Sequence, residues 1–285
     1  MKKFGENFFK FIFFVSAVES LLIIILMCIF LFAGGIPAIK KIGFINFLFG
    51  KEWSPSDEPS LFGIFPMILG SVYVTFGAIL FGAPLGIFTA IFMSWFCLQR
   101  FYSFFKFSVE VLAGIPSIIF GLFGMVFIVP FFEKLFGVNG NNILSASVLL
   151  GIMILPTIIK ISENSLKAVP KIYYEGALAL GSSHERSIFF VIVPAANSGI
   201  ISSVILGVGR ALGETLAVIM VAGNQGRMPK GLLQGVRTLT ANIAIEMGYA
   251  SGLHREALIA TGIILFVFVL SINISFSIFK NKTKQ

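Results

Sequence analysis

Six long apolar runs constrain the fold of this chain more than any other feature. They lie at roughly 11–32, 65–92, 109–132, 143–161, 195–222 and 257–279. A helix needs about 20 apolar residues to cross a bilayer. Only 12% of the chain is charged, whereas a soluble domain has about 25% charged residues. We therefore predict an all-α polytopic membrane protein with six transmembrane helices.

The distribution of lysine and arginine predicts how the chain is oriented. With the N-terminus inside, the inner segments are shorter than the outer ones yet hold more cations, which agrees with the positive-inside rule. We expect both termini in the cytoplasm, and we attribute the net charge of +8 to topology rather than to nucleic-acid binding. Residues 1–64 would form a first helix and an extracytoplasmic segment, 65–279 the main transmembrane domain, and 280–285 a cytoplasmic tail.

A short amphipathic helix is predicted in the longest inner segment, 162–194. Pro170 suits a helix start, because its missing N–H would have no partner there. Gly181 would end the helix, since glycine adopts the left-handed conformation found after many helices. This helix could be a connector on the membrane surface or a docking element for a cytoplasmic partner.

The same segment resembles the cytoplasmic loop of ABC importer permeases, which has the form E-A-A, three residues, G, nine residues, I-x-L-P. The spacing fits, with departures at Gly176, Val191 and Val193. The resemblance implies a MetI-like permease fold and a loop that seats in a groove of an ATPase subunit. The residues matched to this coupling loop are Glu175, Gly176, Ala177, Gly181 and Pro194.

The chain itself offers no site for a nucleotide. A P-loop needs a lysine and a hydroxyl after its glycine-rich turn, and the nearest run, 226–231, is followed by Leu232. We expect no cofactor bound by this chain, no enzymatic activity of its own, and ATP–Mg held by a partner ATPase.

Two charges inside the fifth apolar run are the principal candidates for function. On a continuous helix, Arg210 and Glu214 would lie about 6 Å apart along the axis on one face. Ionisable residues within a membrane usually face the bundle interior or a water-filled cavity, and a guanidinium matches the geometry of an oxyanion. The alternative is an ion pair that serves only helix packing. A neighbouring stripe of small residues, Gly199, Ser203, Gly207 and Ala211, predicts close contact with another helix.

The string GVGRALGETLAVIMVAGN resembles the matching helix of permeases in the phosphate-specific ABC importer, and the outer segment FLFGKEWSPSDEPSLFGIFPMILGS resembles one of that importer's two permease subunits. The resemblance implies import of inorganic phosphate across the cytoplasmic membrane. It also implies a second permease subunit, an ATPase dimer and an external phosphate-binding protein as partners. Arg210 and Glu214 would line the pathway, as would Ser117 in the similar stretch LAGIPS.

Two other functions stay open from the residues alone. One is a permease for another oxyanion, such as molybdate or sulfate. The other is a membrane enzyme acting on lipid, which requires clustered nucleophiles, metal ligands or acids. The sequence shows no such cluster, and neither Cys28 and Cys97 nor His184 and His254 suggest a metal site.

Overall fold

The computed structural model describes residues 2–282 of the chain, with the side chains of 9–275 and 278. Its helices are α1 (Lys2–Ile42), α2 (Phe44–Phe49), α3 (Phe65–Ile91), α4 (Gln99–Gly114), α5 (Ser117–Phe123), α6 (Val129–Phe136), α7 (Ile143–Lys167), α8 (Lys171–Ala179), α9 (His184–Ser187), α10 (Val193–Ala195), α11 (Asn197–Gly213), α12 (Leu216–Val221), α13 (Leu239–Glu246) and α14 (Gly252–Lys282). π-Helical turns follow α3, α5 and α9, and strands β1 (Trp53–Ser54) and β2 (Leu61–Phe62) pair antiparallel.

The architecture confirms the all-α prediction. Within the described part of the chain, five helical stretches are long and apolar enough to span a membrane: Phe9–Ile42, Phe65–Phe96, Ser117–Phe136, Ile143–Lys167 and Gly252–Ser275. A sixth span is formed by His184–Ala195 and Asn197–Gly213 if that pair, bent by 68°, crosses as one unit. Residues 280–282 of the predicted tail continue α14, and residues 283–285 lie outside the described residues.

The third apolar run is not the continuous span 109–132 that the sequence predicts. Residues 109–114 belong to α4, and the membrane-length stretch begins only at Ser117. Pro116 explains the break, because proline lacks an N–H and disfavours helical geometry in the residue before it. Ile115 accordingly has an extended backbone, with ψ 125°.

The centre of the bundle is the contact between α3 and α7. Leu149, Ile154 and Ile158 of α7 are fully buried in the main apolar cluster. Glycine permits the close approach of the two helices, since a Cβ at Gly82 would lie 2.7 Å from the carbonyl oxygen of Gly151.

The small-residue stripe of α11 packs closely against α7, which agrees with the predicted close helix contact. A Cβ at Gly199 would collide with Ser165, the hydroxyls of Ser203 and Ser162 lie 2.7 Å apart, and Gly207 lies against Ile158. This contact fixes α11, and with it Arg210, onto the central helix.

The β-hairpin and α8 lie at opposite ends of α3. The hairpin directly precedes α3, whereas Tyr174 of α8 packs against Trp95, just beyond the C-terminus of α3, with ring centroids 4.9 Å apart. The 27 residues of α3 extend about 40 Å, which is enough to cross a bilayer.

Candidate functional site

The fifth apolar run breaks at its charged residues, and the prediction of one continuous helix over 195–222 is wrong. α11 ends at Gly213, Glu214 has an extended backbone with ψ 134°, and α12 begins at Leu216. The upstream end is also interrupted, at the bend between Ala195 and Asn197. A break inside an apolar segment frees backbone groups that must find partners within the protein.

The freed backbone groups at this break find partners in the side chains of Glu214 and Thr240. Its carboxylate Oε1 accepts hydrogen bonds from the N–H groups of Thr215, at 3.2 Å, and Ala217, at 3.3 Å. Its carbonyl oxygen accepts a hydrogen bond from Oγ1 of Thr240 at 2.9 Å. These three bonds account for a helix that stops and restarts within two residues.

Arg210 is exposed on the last turn of α11 and points to α7. Its Nη1 donates to Oγ1 of Thr157 at 3.1 Å. Among the ion pairs of the described residues, none joins Arg210 to Glu214. The expected pair is therefore absent, because Glu214 is drawn to the start of α12 and leaves the helical register that would have placed it beside Arg210.

The third and fifth runs meet near their breaks. Ser117 is half-buried in the first turn of α5, directly after the break at Pro116. α5 packs on α12, where a Cβ at Gly121 would lie 2.6 Å from Sδ of Met220 and 3.1 Å from Cα of Ala217. The glycine thus brings the two interrupted helices into contact.

The coupling-loop residues lie on and around α8, which confirms the predicted short helix. Gly181 has φ +84°, and the N–H of Ser182 reaches the carbonyl of Ala177 at 3.1 Å, which closes the helix end. Glu175 and Gly176 are exposed and Ala177 is half-buried, while Pro194 is exposed in α10. Tyr174 holds the loop to the bundle by packing on Trp95, and its hydroxyl, 2.7 Å from Nδ1 of His184, ties α8 to α9.

Sequence reasoning missed the apolar tip of this loop. Ile172 is 73% exposed and Leu180 is 91% exposed, so both project away from the bundle. Three large aliphatic residues close together in the sequence, Ile172, Leu178 and Leu180, were the available signal, and Leu178 is also exposed. Such exposed aliphatic residues usually mark an interaction surface when they cluster.

A second feature that the sequence did not predict is a polar network around Glu246, at the hairpin end of the molecule. The buried carboxylate accepts hydrogen bonds from Nε1 of Trp53 at 2.8 Å and pairs with Arg237, while Nε2 of His254 lies 2.8 Å from it. Partial burial and the charge of Glu246 raise the pKa of the adjacent Tyr249. Within the described residues, no group of acids, histidines or cysteines could hold a metal ion.

Membrane-length helices, two of them interrupted, together with a protruding helix at one end, agree with a membrane transport protein of the permease class. The chain belongs to the family of binding-protein-dependent transport system inner membrane components, whose model matches residues 82–285. Members of this family are multi-pass components of the inner membrane.

Curated relatives and solved structures agree with this assignment. The chain is 37% identical over 235 residues to the probable ABC transporter permease protein YqgH of Bacillus subtilis, covering 80% of this chain and 76% of the relative. It is 36% identical over 277 residues to the phosphate transport system permease protein PstC of Mesorhizobium japonicum, covering 89% and 84%.

Two solved transporters share the fold. The inward-facing MetNI methionine ABC transporter matches with a TM-score of 0.58 and 18% identity, over 78% of this chain and 95% of that one. A bacterial ABC transporter that imports alginate matches with a TM-score of 0.64 and 16% identity, over 95% and 96%. The MetI-like fold expected from the sequence is therefore confirmed.

Proposed function

We propose that this chain is a permease subunit of an ATP-driven importer of inorganic phosphate, and that Arg210 serves the phosphate pathway. Several relatives that align over most of the chain are phosphate transport permeases named PstC. The alternative, a permease for molybdate or sulfate, has no comparable support among these relatives.

The state of Arg210 carries the proposal. Its side chain is exposed at the end of α11, and within the described residues its guanidinium donates through Nη1 to the neutral hydroxyl of Thr157. A guanidinium has five N–H donors and keeps its charge at any working pH. Phosphate oxygens can accept hydrogen bonds from the remaining N–H groups, and Thr157 holds the guanidinium in place.

Glu214 and Ser117 have supporting roles in this proposal. Glu214 fixes the start of α12 and so sets where the chain resumes after Arg210. Its negative charge near the pathway also weakens the grip on an anion, which favours release. Ser117 follows the other break and lines the opposite, α5 side of the pathway.

The partners follow from the family and from the two ends of the molecule. A second, PstA-like permease completes the pathway, and a PstB-like ATPase dimer binds ATP–Mg and receives the loop of Glu175, Gly176, Ala177, Gly181 and Pro194. A PstS-like phosphate-binding protein docks at the hairpin end. Both termini then lie in the cytoplasm, and this chain catalyses no reaction itself.

Replacement of Arg210 in the assembled complex tests the proposal. Arg210→Lys keeps the charge but loses the fork, and Arg210→Gln loses both. We expect phosphate uptake to fall by about tenfold or more in both, because a hydrogen bond to a charged group contributes about 1.5–3 kcal/mol. Arg255→Lys, at an exposed position on α14, is the matched control and should transport normally. Near-normal uptake by an assembled Arg210→Gln complex would exclude a pathway role.

A further inference from the structure

The outer hairpin is tied to the far end of α13 by a buried hydrogen bond. Nε1 of Trp53 donates to Oε2 of Glu246 at 2.8 Å, and both residues are less than one-tenth exposed. The other carboxylate oxygen pairs with Arg237. Glu246 is the last residue of α13, so any displacement of the hairpin acts directly on that helix.

The near end of α13 reaches the break between α11 and α12. Oγ1 of Thr240 donates to the carbonyl of Glu214 at 2.9 Å and lies 3.0 Å from Oγ1 of Thr238. A hydroxyl has one proton, so Thr238 is the donor to Thr240. The two hydroxyls form a directed chain that ends on the backbone of the break.

α13 is also fixed laterally against α3 and α12. The N–H of Leu239 donates to Oγ of Ser71 at 3.0 Å, and a Cβ at Gly70 would collide with the carbonyl oxygen of Arg237. Nε of Arg237 donates to the carbonyl of Asn224, just beyond α12, at 3.1 Å. The eight residues of α13 span about 12 Å as one packed unit.

We infer that α13 is a rigid relay that connects the outer hairpin to the helix break beside Arg210, and that Thr240 is a positioning residue for the pathway. The carbonyl of Glu214 has left the helical ladder, and a buried carbonyl without a partner is costly. The position of the break therefore depends on the hydroxyl that α13 presents. Movement of the hairpin, when a binding protein docks, reaches this hydroxyl through Trp53 and Glu246.

The role of this relay in transport rests on the proposed function, but the physical connection between the hairpin and the helix break does not. The relay is therefore tested first by amide hydrogen exchange in the full chain, which needs no substrate and reports local opening. Trp53→Phe removes the indole donor and Thr240→Val the hydroxyl, at opposite ends of α13. Thr240→Ser retains the hydroxyl. Thr261→Val is the matched control, since Thr261 is a buried threonine whose hydroxyl donates within α14, to the carbonyl of Ala257.

We expect Trp53→Phe and Thr240→Val each to speed exchange over residues 214–221 by roughly two- to tenfold, the factor that the loss of one hydrogen bond produces. Exchange in α14 should not change, and Thr240→Ser and Thr261→Val should resemble the original chain over 214–221. Unchanged exchange there in folded Trp53→Phe would overturn the relay, and so would equal acceleration throughout the molecule.

Phosphate import by the assembled complex supplies the second measurement. Trp53→Phe and Thr240→Val should each lower the phosphate imported per ATP hydrolysed, and the double variant should be no worse than the more impaired single variant, because contacts in one network are not additive. If the defects of the two single variants instead multiply in the double variant, the two residues do not act through a shared relay. If the original complex imports no phosphate while the exchange pattern is as expected, the proposed substrate is wrong and the relay stands.

Discussion

The helix break at Glu214 separates its side chain from that of Arg210. Their spacing of four residues indicates a pair on one helix face, but both N–H bonds at the start of α12 use the carboxylate of Glu214. The arginine is left with the hydroxyl of Thr157. An ion pair would offset the positive charge that attracts an oxyanion, so its absence agrees with a pathway role.

The role of Glu214 at the start of α12 predicts a difference between two substitutions. Glu214→Gln retains an oxygen that can accept both N–H groups, whereas Glu214→Ala leaves them without a partner. Loss of such a cap costs about 1 kcal/mol, so we expect Glu214→Ala to lower the Tm and uptake, and Glu214→Gln to stay closer to the original protein. Thermal unfolding in detergent and phosphate uptake measure the two effects. Equal damage by both variants would show that the charge, rather than the cap, is what matters.

At the scale of helices, α8 combines a firm attachment with an exposed tip. Tyr174 anchors the helix through His184 and Trp95, and the left-handed Gly181 turns the chain back toward the bundle. Ile172 and Leu180 project outward on this frame. The arrangement suits a rigid element that transmits the movement of a bound ATPase.

Gly181 and Gly137 form a matched pair for testing α8. Both have positive φ, +84° and +67°, and a Cβ at either would meet no atom within 4 Å. Valine at each position therefore carries a similar backbone strain, roughly 1–3 kcal/mol. We expect Gly181→Val to uncouple ATP hydrolysis from phosphate uptake, and Gly137→Val, at the end of α6, to preserve it. Coupled transport in an assembled Gly181→Val complex would count against the docking role of this loop.

The contact between α11 and α7 allows a similar comparison on one helix. A Cβ at Gly199 would collide with Oγ of Ser165, whereas a Cβ at Gly209 would meet no atom within 4 Å. Gly199→Val should lower the Tm of the isolated chain in detergent by several degrees, because overpacking costs about 1–3 kcal/mol. Gly209→Val should have little effect. A similar Tm for the two variants would show that this contact is not a tight packing surface.

The sequence predicts the spans of this molecule better than their interruptions. An apolar run of about 20 residues is long enough to cross a bilayer as a helix. The helices α3, α7 and α14 accordingly lie close to the predicted positions. Pro116 carries a visible signal for a break, but the length of the apolar run favours one continuous span over 109–132. The break at Glu214 depends on Thr240, 26 residues away, and a contact of that kind cannot be derived from local pattern.

The same distinction applies to the candidate sites at the two ends of the molecule. Pro170 and Gly181 lie at the two ends of α8, so this local sequence signal is enough to predict the helix. The network of Trp53, Glu246 and Arg237 joins residues up to 193 positions apart. Each of these side chains looks like an ordinary loop residue in the sequence, and only packing of the hairpin on α13 brings them together.

At the scale of the whole molecule, the proposed function assigns an oxyanion pathway to the helix break, an ATPase contact to the loop at one end and a binding-protein contact to the hairpin at the other. Uptake of radiolabelled phosphate into vesicles that contain the assembled complex tests this account most directly, with ATP inside and the binding protein outside. We predict uptake that requires both ATP and the binding protein and that excess sulfate or molybdate does not reduce. Accumulation of sulfate or molybdate without phosphate would contradict the account.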